Sequence, residues 1–140
     1  MSYDLMVFKT KSAPNTEVEF KDWYHEQTKW SEGHSYDDPE NTCAELKDWF
    51  LEMIKIFPAM NGPYAKPDVN DKDDRVTDYC IGRDLIYICF SWSEADEAYN
   101  NTIQFAKKYQ LGFFEVSSGN GDVLVPSGNG DLITLFSILN

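Results

Sequence analysis

An α+β fold, with helices packed on one face of a mainly antiparallel sheet, is what this sequence predicts. Three observations lead there. Short β-rich runs occur in adjacent pairs split by glycine-bearing turns, three stretches carry apolar residues at helical spacing, and no apolar run approaches membrane-spanning length. At 140 residues, 42% of them hydrophobic, the chain can bury one proper core, so residues 1–140 are expected to form a single domain.

Tyr3 to Phe8 is rich in apolar types and suits a first strand near the core, broken by Pro14 and Asn15. Thr16-x-x-Glu19 is a capping box, in which hydroxyl and carboxylate satisfy backbone N–H groups left open at a helix start. A helix from about Glu17 to Trp30 follows. Its Phe20, Trp23, Tyr24, Gln27 and Trp30 share one face, Glu19, Asp22, Glu26 and Lys29 form a stripe beside it, and Trp23 lies at the seam. Ser31 to Asn41 reads as a loop, because Gly33, Asp37, Asp38 and Pro39 favour turns. Thr42-x-x-Glu45 repeats the capping box. The helix it opens buries Leu46, Trp49, Phe50, Met53, Ile54 and Phe57, sets Glu45, Asp48, Glu52 and Lys55 on the flank, and stops at Pro58.

Pro58 to Asp74, with Asn61-Gly62-Pro63 and a run of charges, is an exposed connection. Tyr79–Ile81 and Leu85–Trp92 form an antiparallel hairpin through Gly82-Arg83-Asp84. Ser93 caps a third helix to about Tyr109, marked by Ala95, Ala98, Tyr99, Thr102, Ile103 and Ala106, and Gly112 ends it. Phe113–Ser117 and Val123–Val125 then pair across Gly119-Asn120-Gly121. Ser118-Gly-Asn-Gly-Asp122 recurs from Ser127, so residues 127–140 are either an extra edge strand or an apolar tail that docks on a partner. The resulting order, β-α-α-β-β-α-β-β, reads as a ferredoxin-like variant with an inserted helix.

Charge narrows the function. With 24 acidic against 12 basic residues the formal net charge is -12, which repels nucleic acid and anionic membranes and favours a basic protein partner. Eleven acids against three lysines fall between Glu17 and Glu52. In that stretch the pattern Thr16, Glu19, Lys21, Asp22, Trp23, Glu26, Lys29 returns in register as Thr42, Glu45, Lys47, Asp48, Trp49, Glu52, Lys55. Matched carboxylate stripes would steer a basic partner, and Trp23, Trp49 or Tyr36 would supply the desolvated anchor that charge alone lacks. The loop Tyr36-Asp37-Asp38 extends the same acidic surface.

Other chemistry is weaker in the pattern. His25, His34, Cys43 and Asp37 are the residue types of a small metal- or cysteine-dependent enzyme, but the histidines are not one helical turn apart, and Glu40 and Glu45 oppose ionisation of Cys43. Asp68 to Asp74 departs from a calcium loop, with Lys72 at a ligand position and no glycine at the sixth. No phosphate loop, dinucleotide fingerprint or nucleophile elbow is present, so no cofactor is expected. Cys43, Cys80 and Cys89 lack Cys-x-x-Cys spacing and fit reduced thiols, and the N-terminus has no basic segment leading into an apolar run, which together point to a cytoplasmic protein.

Ser2-Tyr-Asp-Leu-Met-Val-Phe8, Ser35-Tyr-Asp-Asp-Pro39 and Gly112-Phe-Phe-Glu-Val-Ser-Ser118 resemble motifs of a group of small acidic uncharacterised bacterial proteins, a similarity that runs to about Pro126 and leaves out the repeated tail. That group implies no active-site residues. By size and charge the chain also resembles immunity proteins of bacterial toxin systems, including those of contact-dependent inhibition. The resemblance implies an inhibitor that covers the cationic groove of a toxin nuclease domain, with carboxylates standing in for phosphates. A nucleic-acid mimic directed at a host DNA-binding protein would use the same chemistry.

Overall fold

Tyr3, Leu5 and Val7 point to one side of the first strand, and Met6 and Phe8 to the other. A strand apolar on both sides is stable only inside a sheet covered on both faces. The computed structural model describes residues 1–67, 73–117 and 119–138, and in it this strand (β1, Tyr3–Phe8) is flanked on both sides. Its neighbours are β3 (Leu85–Phe90) and β4 (Gly112–Glu115), both antiparallel. With β2 (Asp78–Ile81), β5 (Asp122–Pro126) and β6 (Leu132–Ser137) they make a six-stranded sheet of order β2-β3-β1-β4-β5-β6. The first four strands have the ferredoxin-like order, extended by the β5–β6 hairpin. The tail is therefore a strand from Leu132 to Ser137, and Gly119-Asn-Gly121 and Ser127-Gly-Asn-Gly130 lie at the two hairpin turns on either side of β5.

Three helices pack against this sheet. α2 (Ala44–Met53) and α3 (Ala95–Tyr109) cover the face carrying Tyr3, Leu5, Val7, Ile86, Ile88, Phe90 and Phe113. α1 (Glu17–Gln27) does not join them. It lies on the opposite face with Met6, Phe8, Leu85, Phe114 and Val123, so the expectation of helices on one face holds for two of the three. The physical reason is the second apolar row of β1 and β4, which needs a cover of its own. Phe20 supplies it, fully buried with ring centroids 5.4 Å from Phe8, 5.6 Å from Phe114 and 5.6 Å from Phe136.

Local chemistry explains where the elements end. Thr16 caps α1 as expected, its Oγ1 accepting from the Glu19 N–H at 3.4 Å. The helix stops at Gln27 rather than Trp30, whose backbone turns left-handed (φ 52°). The second capping box does not form. Thr42 instead donates to the Arg83 carbonyl at 3.0 Å, and Cys43 occupies the N-cap of α2. Ser93 likewise bonds Asp74 instead of capping α3, which ends on left-handed Gln110. Gly112 is needed for a different reason: a Cβ there would stand 2.2 Å from the Phe8 ring. Asp68 to Lys72, most of the calcium-like run, lie outside the described residues, as do Ser118, Leu139 and Asn140.

Candidate functional site

Because α1 and α2 lie on opposite faces, the repeated pattern does not build one surface: the sheet stands between Glu19, Asp22 and Glu26 on one side and Glu45, Asp48 and Glu52 on the other. Trp49 is 0% exposed, and its Nε1 donates to the Thr102 carbonyl at 3.2 Å, tying α2 to α3. It is a core residue and no partner anchor, because α2 must fill the space between sheet and α3 with its largest side chain. Glu52 is not free either. Lys108 and Tyr109 donate to its carboxylate and Lys55 stands 3.4 Å away, and the Lys108 ammonium holds its carboxyl below the ordinary range.

On α1 the stripe remains open to solvent. Glu19, Asp22 and Glu26 are exposed, with Glu26 in an exposed pair to Lys29 at 2.9 Å that a competing cation can replace at little cost. Trp23 is half-buried at the seam, packed 5.5 Å from Phe20 and 5.8 Å from Phe8.

The loop after α1 folds back onto the β2–β3 hairpin. Tyr36 pins it: its hydroxyl accepts from the Glu32 N–H at 2.7 Å, its carbonyl accepts from the Ile81 N–H at 2.7 Å, and its ring stacks near Trp30 and His34. Glu32 accepts from the Arg83 N–H at 3.0 Å and meets the His34 ring at 2.7 Å. Asp38 accepts from the Glu40 N–H at 2.9 Å and so caps a short 3-10 turn, Pro39–Asn41. Tyr36 and Asp38 thus spend polar atoms on the loop and on β2, whereas Asp37 lines a hollow.

This loop and the end of α1 wall a cleft over β1, β2 and β3. One hollow of about 310 Å³ is lined by Tyr24, Thr28, Trp30, Cys80, Tyr87 and Cys89. A second, of about 360 Å³, shares Cys80 and adds Tyr36, Asp37, Asn61, Gly62, Asp78 and Tyr79. Strand register aligns Asp4, Cys89 and Asp78 in one row across the sheet. Asp4 accepts from the hydroxyls of Ser2 and Tyr87, both at 2.5 Å. Asp78 has no hydrogen-bond partner for its carboxylate, and no cation pairs with either acid, among the described residues. Burial and the neighbouring Asp4 carboxylate raise the Asp78 carboxyl above its ordinary value. Burial also pushes the thiols up, Cys80 to about 11 and Cys89 to about 12, so at neutral pH both stay protonated and inert as nucleophiles.

None of Asp4, Asp78, Tyr87, Cys80 or Cys89 stood out from the sequence as a site residue. The signal was a polar residue at every second position of short strands, Asp78-x-Cys80 and Tyr87-x-Cys89.

The residues of a metal- or cysteine-dependent site are not gathered. His25 is exposed on α1, His34 is held by Glu32 and the Ser35 carbonyl, and burial raises the Cys43 thiol with Glu45 adding to it. Among the described residues no three His, Cys, Asp or Glu side chains converge to hold a metal, and no helix is long and apolar enough to cross a membrane. No protein-family model, curated protein or solved structure matches this chain.

Proposed function

We propose that this protein is an inhibitor of the immunity type, which binds and neutralises a basic toxin domain, in the first instance a nuclease, through the face that carries α1 and the cleft beside it. The observation that supports this most is the pair Asp4 and Asp78, half-buried carboxylates in one row with no cation beside them among the described residues. Two like charges half-withdrawn from water on either side of Cys89 are costly, and a lysine or arginine of a partner entering the hollow lined by Tyr24, Trp30, Tyr87 and Cys89 would approach that row and relieve the cost. Glu19, Asp22 and Glu26 on α1 would steer the approach from solution, and Trp23 and Asp37 would border the contact. The carboxylates would then occupy the groove in which the toxin holds phosphates.

Capture of the partner from the source organism, followed by stopped-flow association at low and moderate salt, tests the reading. Reversing Glu19, Asp22 and Glu26 to lysine should slow association roughly tenfold or more and flatten its salt dependence. Reversing Glu45 and Asp48 on the other face should change little. A partner that is not basic, or equal effects from the two sets, would sink the assignment.

A further inference from the structure

The two edges of the sheet are treated differently. At the β2 edge the chain covers itself: the Thr77 N–H donates to the Pro58 carbonyl at 2.8 Å, the Met60 N–H to the Thr77 carbonyl at 2.9 Å, and the Ile81 N–H to the Tyr36 carbonyl at 2.7 Å. Along β6 no such cover exists among the described residues, and its backbone bonds run to β5 and the turn before it. Leu132-Ile-Thr-Leu-Phe-Ser-Ile138 is seven residues without a charge, in a chain where 26% of residues are charged. Ile133 is 52% exposed and Leu135 38%. Exposed edges are normally blunted by lysine, proline or inward charges, and here, among the described residues, a bulge opposite Val123 and Leu124 serves that end.

We propose that β6 pairs with β6 of a second copy of this chain, antiparallel about a two-fold axis, joining the two sheets into one. Identical strands paired this way close on themselves, so the assembly stops at a dimer. Charge limits where a second copy can approach. Two chains of net charge -12 repel wherever their acidic surfaces approach, and β6 is a stretch of sheet rim where they can meet without opposing carboxylates. A basic partner gains no steering there, in contrast to the face of α1. Dimerisation would also leave the cleft over β1, β2 and β3 open, since β6 lies at the far end of the sheet.

A contact of one strand pair is at the small end of stable interfaces, so association is expected over roughly 1 to 500 µM rather than at nanomolar concentration. Sedimentation equilibrium on the purified chain should show a dimer that grows with protein concentration and, because salt screens the mutual repulsion, grows further between low and high salt. Ile133→Lys places two like charges near each other across the axis and should leave a monomer under every condition. Thr134→Lys, at a position already polar and exposed, should do the same and keeps the test decisive if Ile133→Lys lowers stability. A wild-type chain that is monomeric throughout, or variants that dimerise as the wild type does, would overturn the proposal. Either result is independent of partner binding at α1.

Discussion

Asp78 is placed where a carboxylate is least at ease, half-buried in the row that holds Cys89 and Asp4 and two residues from Cys80, both thiols being protonated. Its carboxyl is raised in the folded chain, so between the ordinary value of 3.8 and the raised one the folded state holds a proton that the unfolded state has released. This group therefore subtracts stability as pH rises through that window, the full loss being present at pH 7 and none of it below the ordinary value. Asp78→Asn should raise the melting temperature at pH 7, and calorimetry at pH 3.5 should find the two proteins nearly level; no gain at neutral pH would mean the carboxylate is already compensated. On the proposed reading Asp78 meets the partner, and a carboxylate that lowers the stability of the free protein is what a site built for binding rather than for the fold would show. The sequence could not reveal it, since Asp4 and Asp78 come into one row, on either side of Cys89, only through the register of β1, β2 and β3. Trp49 shows the opposite failure: its spacing beside a carboxylate stripe fits an anchor, and only the position of α3 shows it to be core.

At the level of elements, the duplicated pattern proves to be one solution used for two different jobs. Both helices need apolar residues three and four apart and acids near their first turn, which is enough to make Glu17–Gln27 resemble Ala44–Met53 in sequence. The helices, the hairpins and the strand order were legible because periodicity and turn residues are local. Which face each helix covers was not, because it depends on β1 having two apolar sides and on α1 lying nearer than α2 to the uncovered one. The caps separate the copies. Thr16→Ala should cost about 0.5–2 kcal/mol in chemical denaturation, as removal of a working N-cap does. Thr42→Ala removes a tertiary bond to Arg83 instead and should leave helix content unchanged by circular dichroism.

Across the whole molecule the excess of acids is a strain as well as a signal. Carboxylates crowd both faces and the loops between them, while Lys29, Lys55, Lys107 and Lys108 meet them from exposed positions and Lys47 from a half-exposed one, where pairing contributes little. Raising salt from about 0.01 to 0.5 M shortens the range of self-repulsion several-fold. The melting temperature should rise by several degrees over that range, and a flat or falling profile would show that local pairs, not the overall charge, set the electrostatics. The central position of β1 carries one last consequence, this time for timing. Both of its partners, β3 and β4, come from the later part of the chain, so during synthesis the strand waits unpaired and the row from Asp4 to Asp78 cannot assemble until β3 has emerged. Contacts that far apart make folding slow and leave no partly built cleft along the way. On the proposed reading, a nascent copy would stay blind to its target until the sheet closes around its own first strand.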